Sequence, residues 1–97
     1  MAVKILIKRT ISSEVTPVVR PLIVELRSHA MNQPGYISGE TLKCIDRPDE
    51  YVVISIWKSL KEWNNWADST ERKILEDKID SVTGTFCEYS TYVQLGN

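Results

Sequence analysis

The sequence predicts an α+β fold whose elements follow the order β-α-β-β-α-β, the ferredoxin-like split βαβ pattern. Short runs rich in β-branched and apolar residues alternate with stretches in which apolar residues recur at helical spacing. Turn-forming segments separate these runs, and 97 residues make one domain. We therefore expect a four-stranded antiparallel sheet with the helices on one face.

A strand from Val3 to Arg9 and a helix reaching about Asn32 are predicted for the first part of the chain. The strand places Val3, Ile5 and Ile7 on one face and Lys4, Leu6 and Lys8 on the other. The helix has an apolar stripe made of Val15, Val19, Leu22, Ile23, Leu26 and Ala30. Pro17 suits the first helical turn, whereas Pro21 removes a backbone donor and predicts a kink or a late start.

The middle of the chain is predicted to form an antiparallel hairpin. Pro34 and Gly35 end the first helix, because proline cannot continue it and glycine supplies the turn. A strand then runs from Tyr36 to Asp46, and another from Tyr51 to Trp57 returns beside it. Gly39 predicts a bulge or the close approach of another backbone.

A capping box predicts where the next helix begins, because Ser59 and Glu62 can satisfy each other's backbone N–H groups. This helix is expected to end near Asp68. Asp68 and Glu71 are predicted to cap a further helical segment. The stripe of that segment is Ile74, Leu75 and Ile79. The last strand is predicted from Thr85 to Gln94, a stretch dense in β-branched and aromatic residues.

The third strand, Val52 to Trp57, is apolar at positions that face both ways. Two helical elements cover only one face of a four-stranded sheet, and such strands are typical of sheets buried on both sides. We therefore expect the uncovered face to meet that of a second copy, which gives a two-fold homodimer. The alternative is a monomer whose open face is only partly apolar.

The composition excludes several classes of function. The net charge is −1, from 12 basic and 13 acidic residues, so bulk charge does not favour nucleic acid or a membrane surface as a partner. No apolar stretch approaches the roughly 20 residues needed to span a bilayer, and the first residues do not have the pattern of a signal peptide. Cys44 and Cys87 are predicted to be buried, reduced thiols in strands of a cytoplasmic protein. With His29 as the only histidine, we expect no metal site.

All three tryptophans lie within ten residues of one another, at Trp57, Trp63 and Trp66. Trp63 and Trp66 share a helix face, and Asn64 and Asn65 lie between them. Large aromatic side chains are core residues by default. Two aromatics and two amides delivered by one strand-to-helix connection nevertheless favour the wall of a pocket.

The chain laid out in this way resembles the antibiotic biosynthesis monooxygenase (ABM) domain family of the dimeric α+β barrel superfamily. The resemblance rests on the segment from Gln33 to Glu40, on Val53 to Trp57, and on Trp63-Asn64-Asn65-Trp66. It covers nearly the whole chain and implies the ferredoxin-like fold and the dimer. The family includes cofactor-independent oxygenases, haem-degrading enzymes, quinol monooxygenases and members with no known activity.

The haem-degrading branch matches this chain at Trp66 only. The resemblance puts Glu76 where that branch has its axial histidine and Lys8 where it has an asparagine. A carboxylate does not replace neutral imidazole as a usual haem ligand. Haem degradation is therefore disfavoured, and we expect no cofactor.

The branch that oxidises aromatics implies a small oxygenase that holds a phenol-like or quinol-like ring in a pocket between sheet and helices. Such a pocket must orient the ring, bind the developing anion and move a proton. The catalytic candidates are Trp66, Asn65, Lys8 and Glu76, and the substrate-binding candidates are Trp63, Trp57, Glu40 and His29. Two alternatives remain, a non-catalytic dimeric protein that binds a small molecule and a stress-related or structural dimer.

Overall fold

A four-stranded antiparallel sheet, with helices on one face, forms the fold of residues 1–96, which the computed structural model describes. The elements are β1 (Val3–Thr10), α1 (Thr16–Met31), β2 (Tyr36–Lys43), β3 (Glu50–Trp57), α2 (Leu60–Ala67), α3 (Thr70–Thr83) and β4 (Glu88–Val93). The strand order is β2-β3-β1-β4, and every neighbouring pair is antiparallel. The predicted ferredoxin-like order is confirmed.

β1 lies at the centre of the sheet and sets which side chains meet the helices. Ile5 pairs with Ser55 of β3 and with Thr91 of β4. The predicted inward face is confirmed, with Val3, Ile5 and Ile7 all buried. Arg9 is the next residue on this face and is only 5% exposed, so the alternation of buried and exposed side chains in β1 continues one step beyond the apolar residues.

α1 packs its apolar stripe against this inward face. Val19 and Leu26 are buried, and the other four stripe residues pack half-buried against the core. The helix begins at Thr16 and passes through Pro21, so the late start that Pro21 suggested is wrong. It begins early because Pro17 lies in the first turn, where no donor is needed. Gly35 follows the helix with φ +87°, a conformation that favours glycine, and the Glu62 side chain occupies the space where a Cβ would lie.

Both outer strands are shorter than predicted. β2 ends at Lys43, because the Cys44 N–H donates to the Glu50 carbonyl and closes the hairpin connection. β4 starts only at Glu88, because Thr83 and Thr85 bond to each other in a turn around Gly84. The two cysteines therefore lie just outside the strands, and both are half-buried.

The irregularity in β2 is not at Gly39, where it was predicted. The pairing register shifts between Tyr36 and Ser38. Gly39 has a different role, since a Cβ there would lie 2.5 Å from the Tyr36 hydroxyl. The tyrosine therefore folds back over the glycine, and the group that comes close is a side chain instead of a second backbone.

The start of α2 is as predicted, but that of α3 is not. The Ser59 hydroxyl accepts from the Glu62 N–H at 3.3 Å. The return bond from Glu62 is absent among the described residues, because its carboxylate turns toward Gly35. α3 is capped by Ser69, whose hydroxyl accepts from the Arg72 N–H at 3.2 Å, while Asp68 ends α2.

The buried stripe of α3 carries charge, which the sequence pattern of apolar residues did not reveal. Ile74, a predicted stripe residue, is 52% exposed. The buried residues are Arg72, Leu75, Glu76 and Ile79, at the spacing of one helix face. α3 thus brings an ion pair to the interior of the fold.

Replacing the cap of α3 is expected to destabilise the protein measurably. Ser69→Ala leaves the Arg72 N–H without its acceptor and is expected to cost about 1 kcal/mol, or roughly 4–8 °C in Tm for a domain of this size. Thermal unfolding followed by circular dichroism measures the shift. Ser28→Ala, an exposed serine inside α1, is the control and is expected to leave Tm unchanged or slightly higher; equal losses in both variants would contradict the capping role.

The face of the sheet opposite the helices is uncovered. It carries Leu6, Leu42, Val52, Ile54, Ile56 and Tyr92, none of which is buried. Leu42 and Tyr92 are 46% and 52% exposed. Apolar side chains on this face confirm the two-sided pattern expected for β3. Over residues 1–96, no helix is long and apolar enough to cross a membrane.

Candidate active site

A small cavity lies beneath α1, on the inward face of the sheet. Its volume is about 60 Å³, enough for a few water molecules. The lining is mostly apolar and includes Trp57, Trp63 and Trp66, with Tyr36 and Gly39 at one side. The predicted cluster of tryptophans therefore does line a cavity.

The aromatic rings beside the cavity form a continuous row of edge-to-face contacts. Tyr36 contacts Trp57 with ring centroids 5.4 Å apart, and Trp57 contacts Trp63 at 5.6 Å. Trp63 in turn contacts Tyr89 of β4 at 6.0 Å. Trp57 is fixed further, because its indole N–H donates to the Ser55 hydroxyl at 3.1 Å. Edge-to-face packing and this buried hydrogen bond stabilise the wall of the cavity.

A buried ion network joins β1 to α3 next to these rings. Arg9 Nη2 lies 2.7 Å from Glu76 Oε1, and Arg72 Nη2 lies 2.9 Å from Glu76 Oε2. The contacts are close in distance but poorly aligned as hydrogen bonds. Arg72 also donates to the Ala67 carbonyl at 3.4 Å and lies over the ring of Trp63, 5.3 Å from its centroid. Arg9 and Arg72 both line the cavity.

Two acidic groups beside the network have raised pKa values. Burial is the main cause of the raised pKa of the Cys87 thiol, and the Glu76 carboxylate, 3.5 Å from its sulfur, adds to it. Burial also raises the pKa of Asp80, with a further contribution from Glu76. Folding therefore shifts both groups toward their neutral forms relative to the unfolded chain.

Asp80 is expected to destabilise the fold at neutral pH. Its folded pKa lies above the ordinary 3.8, so its favourable contribution is present below that value and is lost as the pH rises through the folded pKa. Asp80→Asn is therefore expected to raise Tm at pH 7 and to give no advantage near pH 3. Thermal unfolding of the variant and the parent protein across this pH range measures the difference, with Asp46→Asn, at an exposed position far from Asp80 in the sequence, as the control; a variant less stable than the parent at pH 7 would contradict the expectation.

A groove continues from the cavity along α1. It has a volume of about 220 Å³ and shares Arg9, Ile23, Arg27, Thr41 and Val53 with the cavity. Arg20 lines its outer part. α1 forms one wall of this groove, and β2 and β3 form the other. A ligand in the groove would thus reach the buried cavity at its inner end.

The model of the antibiotic biosynthesis monooxygenase (ABM) family matches residues 2–74, which is most of the chain. The chain belongs to the ABM family. The resemblance seen in the sequence is thereby confirmed. No curated protein matches the sequence significantly.

Several solved structures share the fold of this ABM chain. SnoaB, a cofactor-independent oxygenase from Streptomyces nogalater, matches it with a TM-score of 0.85 and 12% sequence identity, over 99% of this chain and 95% of SnoaB. A conserved protein from Methanosarcina mazei matches with a TM-score of 0.85 and 15% identity, over 95% of this chain and 91% of that chain. A protein from Mycobacterium tuberculosis matches with a TM-score of 0.85 and 11% identity, over 100% of this chain and 98% of that chain. At these identities the likeness shows the fold alone.

Three of the predicted site residues meet at the cavity of this ABM chain. Trp57, Trp63 and Trp66 all line it and are 1–3% exposed. Their environments differ, because Trp63 already contacts two rings and the Arg72 guanidinium. Trp63 is thus a packed part of the wall, which leaves it little free ring surface to flank a substrate.

Four other predicted residues lie away from the cavity interior. Asn65 is exposed on α2, because the buried face of that helix is occupied by the tryptophans. Lys8 lies on the open face of the sheet, 3.5 Å from Glu50. His29 pairs with Glu71, which joins α1 to α3 at the surface. Glu40 borders the cavity, but its register opposite Ile54 places its side chain on the open face.

Glu76 is buried beside the site, but it is not among the residues that line the cavity. Both of its oxygens face guanidinium groups. Its position fits the role of holding Arg9 and Arg72 in place. A direct exchange of protons with a substrate, the predicted role, would require it to reach past these arginines.

Arg9 and Arg72 are the site residues that sequence reasoning missed. The signal for Arg9 was the alternation of β1, in which Val3, Ile5 and Ile7 are followed two positions later by an arginine. The signal for Arg72 was its spacing from Glu76, i and i+4 on one helix face. Within residues 1–96, no cluster of three His, Cys, Asp or Glu side chains is placed to hold a metal.

Proposed function

We propose that this chain is a small oxygenase that oxidises a phenol-like or quinol-like aromatic without a bound cofactor. The reacting ring would lie in the groove beneath α1, with its oxygen directed toward the cavity. The observation that carries the proposal is the buried pair of guanidinium groups, Arg9 and Arg72, that borders an apolar cavity walled by tryptophan. Membership of the ABM family supports the same class of reaction.

Oxidation of such an aromatic by O₂ depends more on stabilisation of an anion than on a cofactor. An anthrone that loses a proton to solvent gives an electron-rich enolate that can reduce O₂ directly. The CH₂ carbon then loses two hydrogens and gains one oxygen atom as C=O, and the other oxygen leaves as water. The substrate supplies all four electrons that O₂ accepts. Fixed positive charge in a site poor in water stabilises the enolate and the reduced oxygen species.

The size of the cavity defines where the ring would lie. A cavity of about 60 Å³ is smaller than the roughly 150 Å³ that encloses benzene. The ring would therefore occupy the adjoining groove, with Ile23 and Val53 on its walls. In this arrangement Trp66, which lines the cavity but not the groove, would lie beside the oxygen that the ring directs into the cavity.

Conversion of anthrone under ¹⁸O₂ tests the proposal. The protein is expected to form anthraquinone faster than buffer alone, with one labelled oxygen atom per molecule. Trp66→Phe is expected to lower the rate on the order of tenfold, because the ring loses its position relative to the arginines. Phe86→Leu, which changes an aromatic that is 85% exposed, is the control. A rate no faster than buffer, or equal rates for both variants, would contradict the proposal.

A second candidate function is a non-catalytic binding protein that uses the same groove. One observation favours it. The residues that line the cavity include no histidine, and Glu40, the one carboxylate among them, directs its side chain to the opposite face of the sheet. The cavity thus lacks an obvious group for proton transfer. Binding of aromatic ligands without any consumption of O₂ would support this candidate.

We also propose that two copies associate through the open face of the sheet. That face leaves Leu6, Val52, Ile54 and Ile56 incompletely buried side by side. A contiguous apolar patch of this kind is typical of an interaction surface. A second copy offers the same patch about a two-fold axis, so it is the simplest partner.

A further inference from the structure

Arg9 carries hydrogen-bond donors that nothing in residues 1–96 satisfies. Its side chain is 5% exposed, yet Nε and Nη1 have no partner, while Nη2 faces Glu76. Buried polar groups in native proteins are nearly always paired, and leaving a charged donor unpaired is costly. Because Arg9 lines both the cavity and the groove, a ligand in that space has direct access to this residue.

The buried network has more positive than negative charge. Two guanidinium groups share the single carboxylate of Glu76. Asp80 is close enough to interact with the charges of both arginines, but it forms no ion pair with either in the described part of the chain. The ion-paired network itself therefore keeps one positive charge that Glu76 does not balance.

The groove extends this positive charge outward. Three arginines line it, Arg9, Arg20 and Arg27, and its lining includes no aspartate or glutamate. Arg20 and Arg27 are exposed and form no ion pair within residues 1–96. The chain as a whole has a net charge of −1, so this run of cations is a local feature that does not follow from composition. A cleft lined by one sign of charge concentrates ligands of the opposite sign.

We infer that the groove beneath α1 binds an aromatic oxyanion, a flat apolar body with a carboxylate or phenolate oxygen lying against Arg9. Ile23, Val24 and Val53 supply apolar walls for the body, and the exposed Arg20 and Arg27 attract the anion into the groove. The cavity, with its volume of a few waters, has room for the oxyanion itself. The inference rests on the proposed function only for the aromatic nature of the ligand.

Calorimetric titration with matched probes tests the inference. 2-Naphthoate and 2-naphthamide have nearly the same shape, but only the former is an anion at pH 7. The carboxylate is expected to bind roughly ten- to a hundredfold more tightly, as for hydrogen bonds to charged groups, and its advantage is expected to shrink at high salt. 2,4-Dinitro-1-naphtholate is a phenolate at pH 7. Its affinity relative to that of 2-naphthoate shows whether the site prefers a phenolate oxygen or a carboxylate oxygen.

Three variants locate the anion. Arg9→Gln is expected to remove most of the preference for naphthoate over naphthamide, and Arg27→Gln to reduce it severalfold. Arg47→Gln makes the same change of charge at an exposed turn and is expected to leave the preference unchanged. Should Arg9→Gln fail to fold, Arg27→Gln and the comparison of the two probes in the parent protein still test whether the groove binds the anion.

Equal affinity for naphthoate and naphthamide in the parent protein would overturn the inference, as would no binding of either probe. A preference that survives Arg9→Gln and Arg27→Gln equally well would place the anion elsewhere and also overturn it. These outcomes are separate from those for the oxygenase reaction. If naphthoate binds as expected while anthrone is not oxidised, the anion site stands and the oxygenase proposal fails.

Discussion

Glu76→Gln is expected to lower the free energy of unfolding by about 3–5 kcal/mol, the usual cost of removing one partner from a buried ion pair. The neutral amide would leave two guanidinium groups, each less than a tenth exposed, without their shared counter-charge. The total stability of a small domain is roughly 5–15 kcal/mol, so much of it would be lost. Urea unfolding followed by tryptophan fluorescence measures the change.

Glu25→Gln, at an exposed position of α1, is the matched control and is expected to change stability by less than about 0.5 kcal/mol. A triple variant, Arg9→Met with Arg72→Leu and Glu76→Met, is expected to recover much of the lost stability, because apolar replacement of a whole buried ion network is often neutral. It should also lose the preference for naphthoate. Equal stability of Glu76→Gln and the parent protein would show that the network is not coupled to folding.

Ile54→Glu is expected to convert a dimer into a folded monomer. Ile54 lies on the open face of the sheet, opposite Leu6 of β1 and Glu40 of β2. In a dimer joined through this face, the substitution buries a carboxylate without a partner, a cost of several kcal/mol. Sedimentation velocity at micromolar concentration is expected to give the mass of two chains for the parent protein and of one for the variant.

Val18→Glu provides the control, since Val18 is 57% exposed on α1, away from the open face. It is expected to remain dimeric. Retention of the dimer in Ile54→Glu would place the interface elsewhere. Sedimentation of the parent protein as a single chain would reject the dimer altogether.

The sequence predicted the fold well because the apolar patterns of its elements agree with one another. The alternation in β1 and the stripe of α1 define opposite sides of the same core, and the cap at Ser59 marks the start of α2. The predicted ends of β2 and β4 were wrong because local hydrogen bonds form there instead of strand pairing. The Cys44 N–H bond to Glu50 and the mutual bonds of Thr83 and Thr85 end the pairing earlier than β propensity indicates.

The site was predicted less completely, for a physical reason. Apolar periodicity identified Trp57, Trp63 and Trp66, because aromatic residues are buried whichever role they play. Arg9 and Glu76 are buried beside each other's charge, and that pairing depends on β1 and α3 meeting in space. Asn65 was chosen for its chemistry next to the tryptophans, but one step along a helix turns a side chain by about 100°, here out into solvent.

A crystal structure of the protein with bound 2-naphthoate would show whether the space beneath α1 is the functional site. The naphthalene is expected in the groove between α1 and β3, against Ile23 and Val53, with a carboxylate oxygen within hydrogen-bond distance of Arg9 Nε or Nη1. A naphthoate bound outside this groove, with both Arg9 nitrogens still unpartnered, would contradict the claim that the space beneath α1 is the functional site.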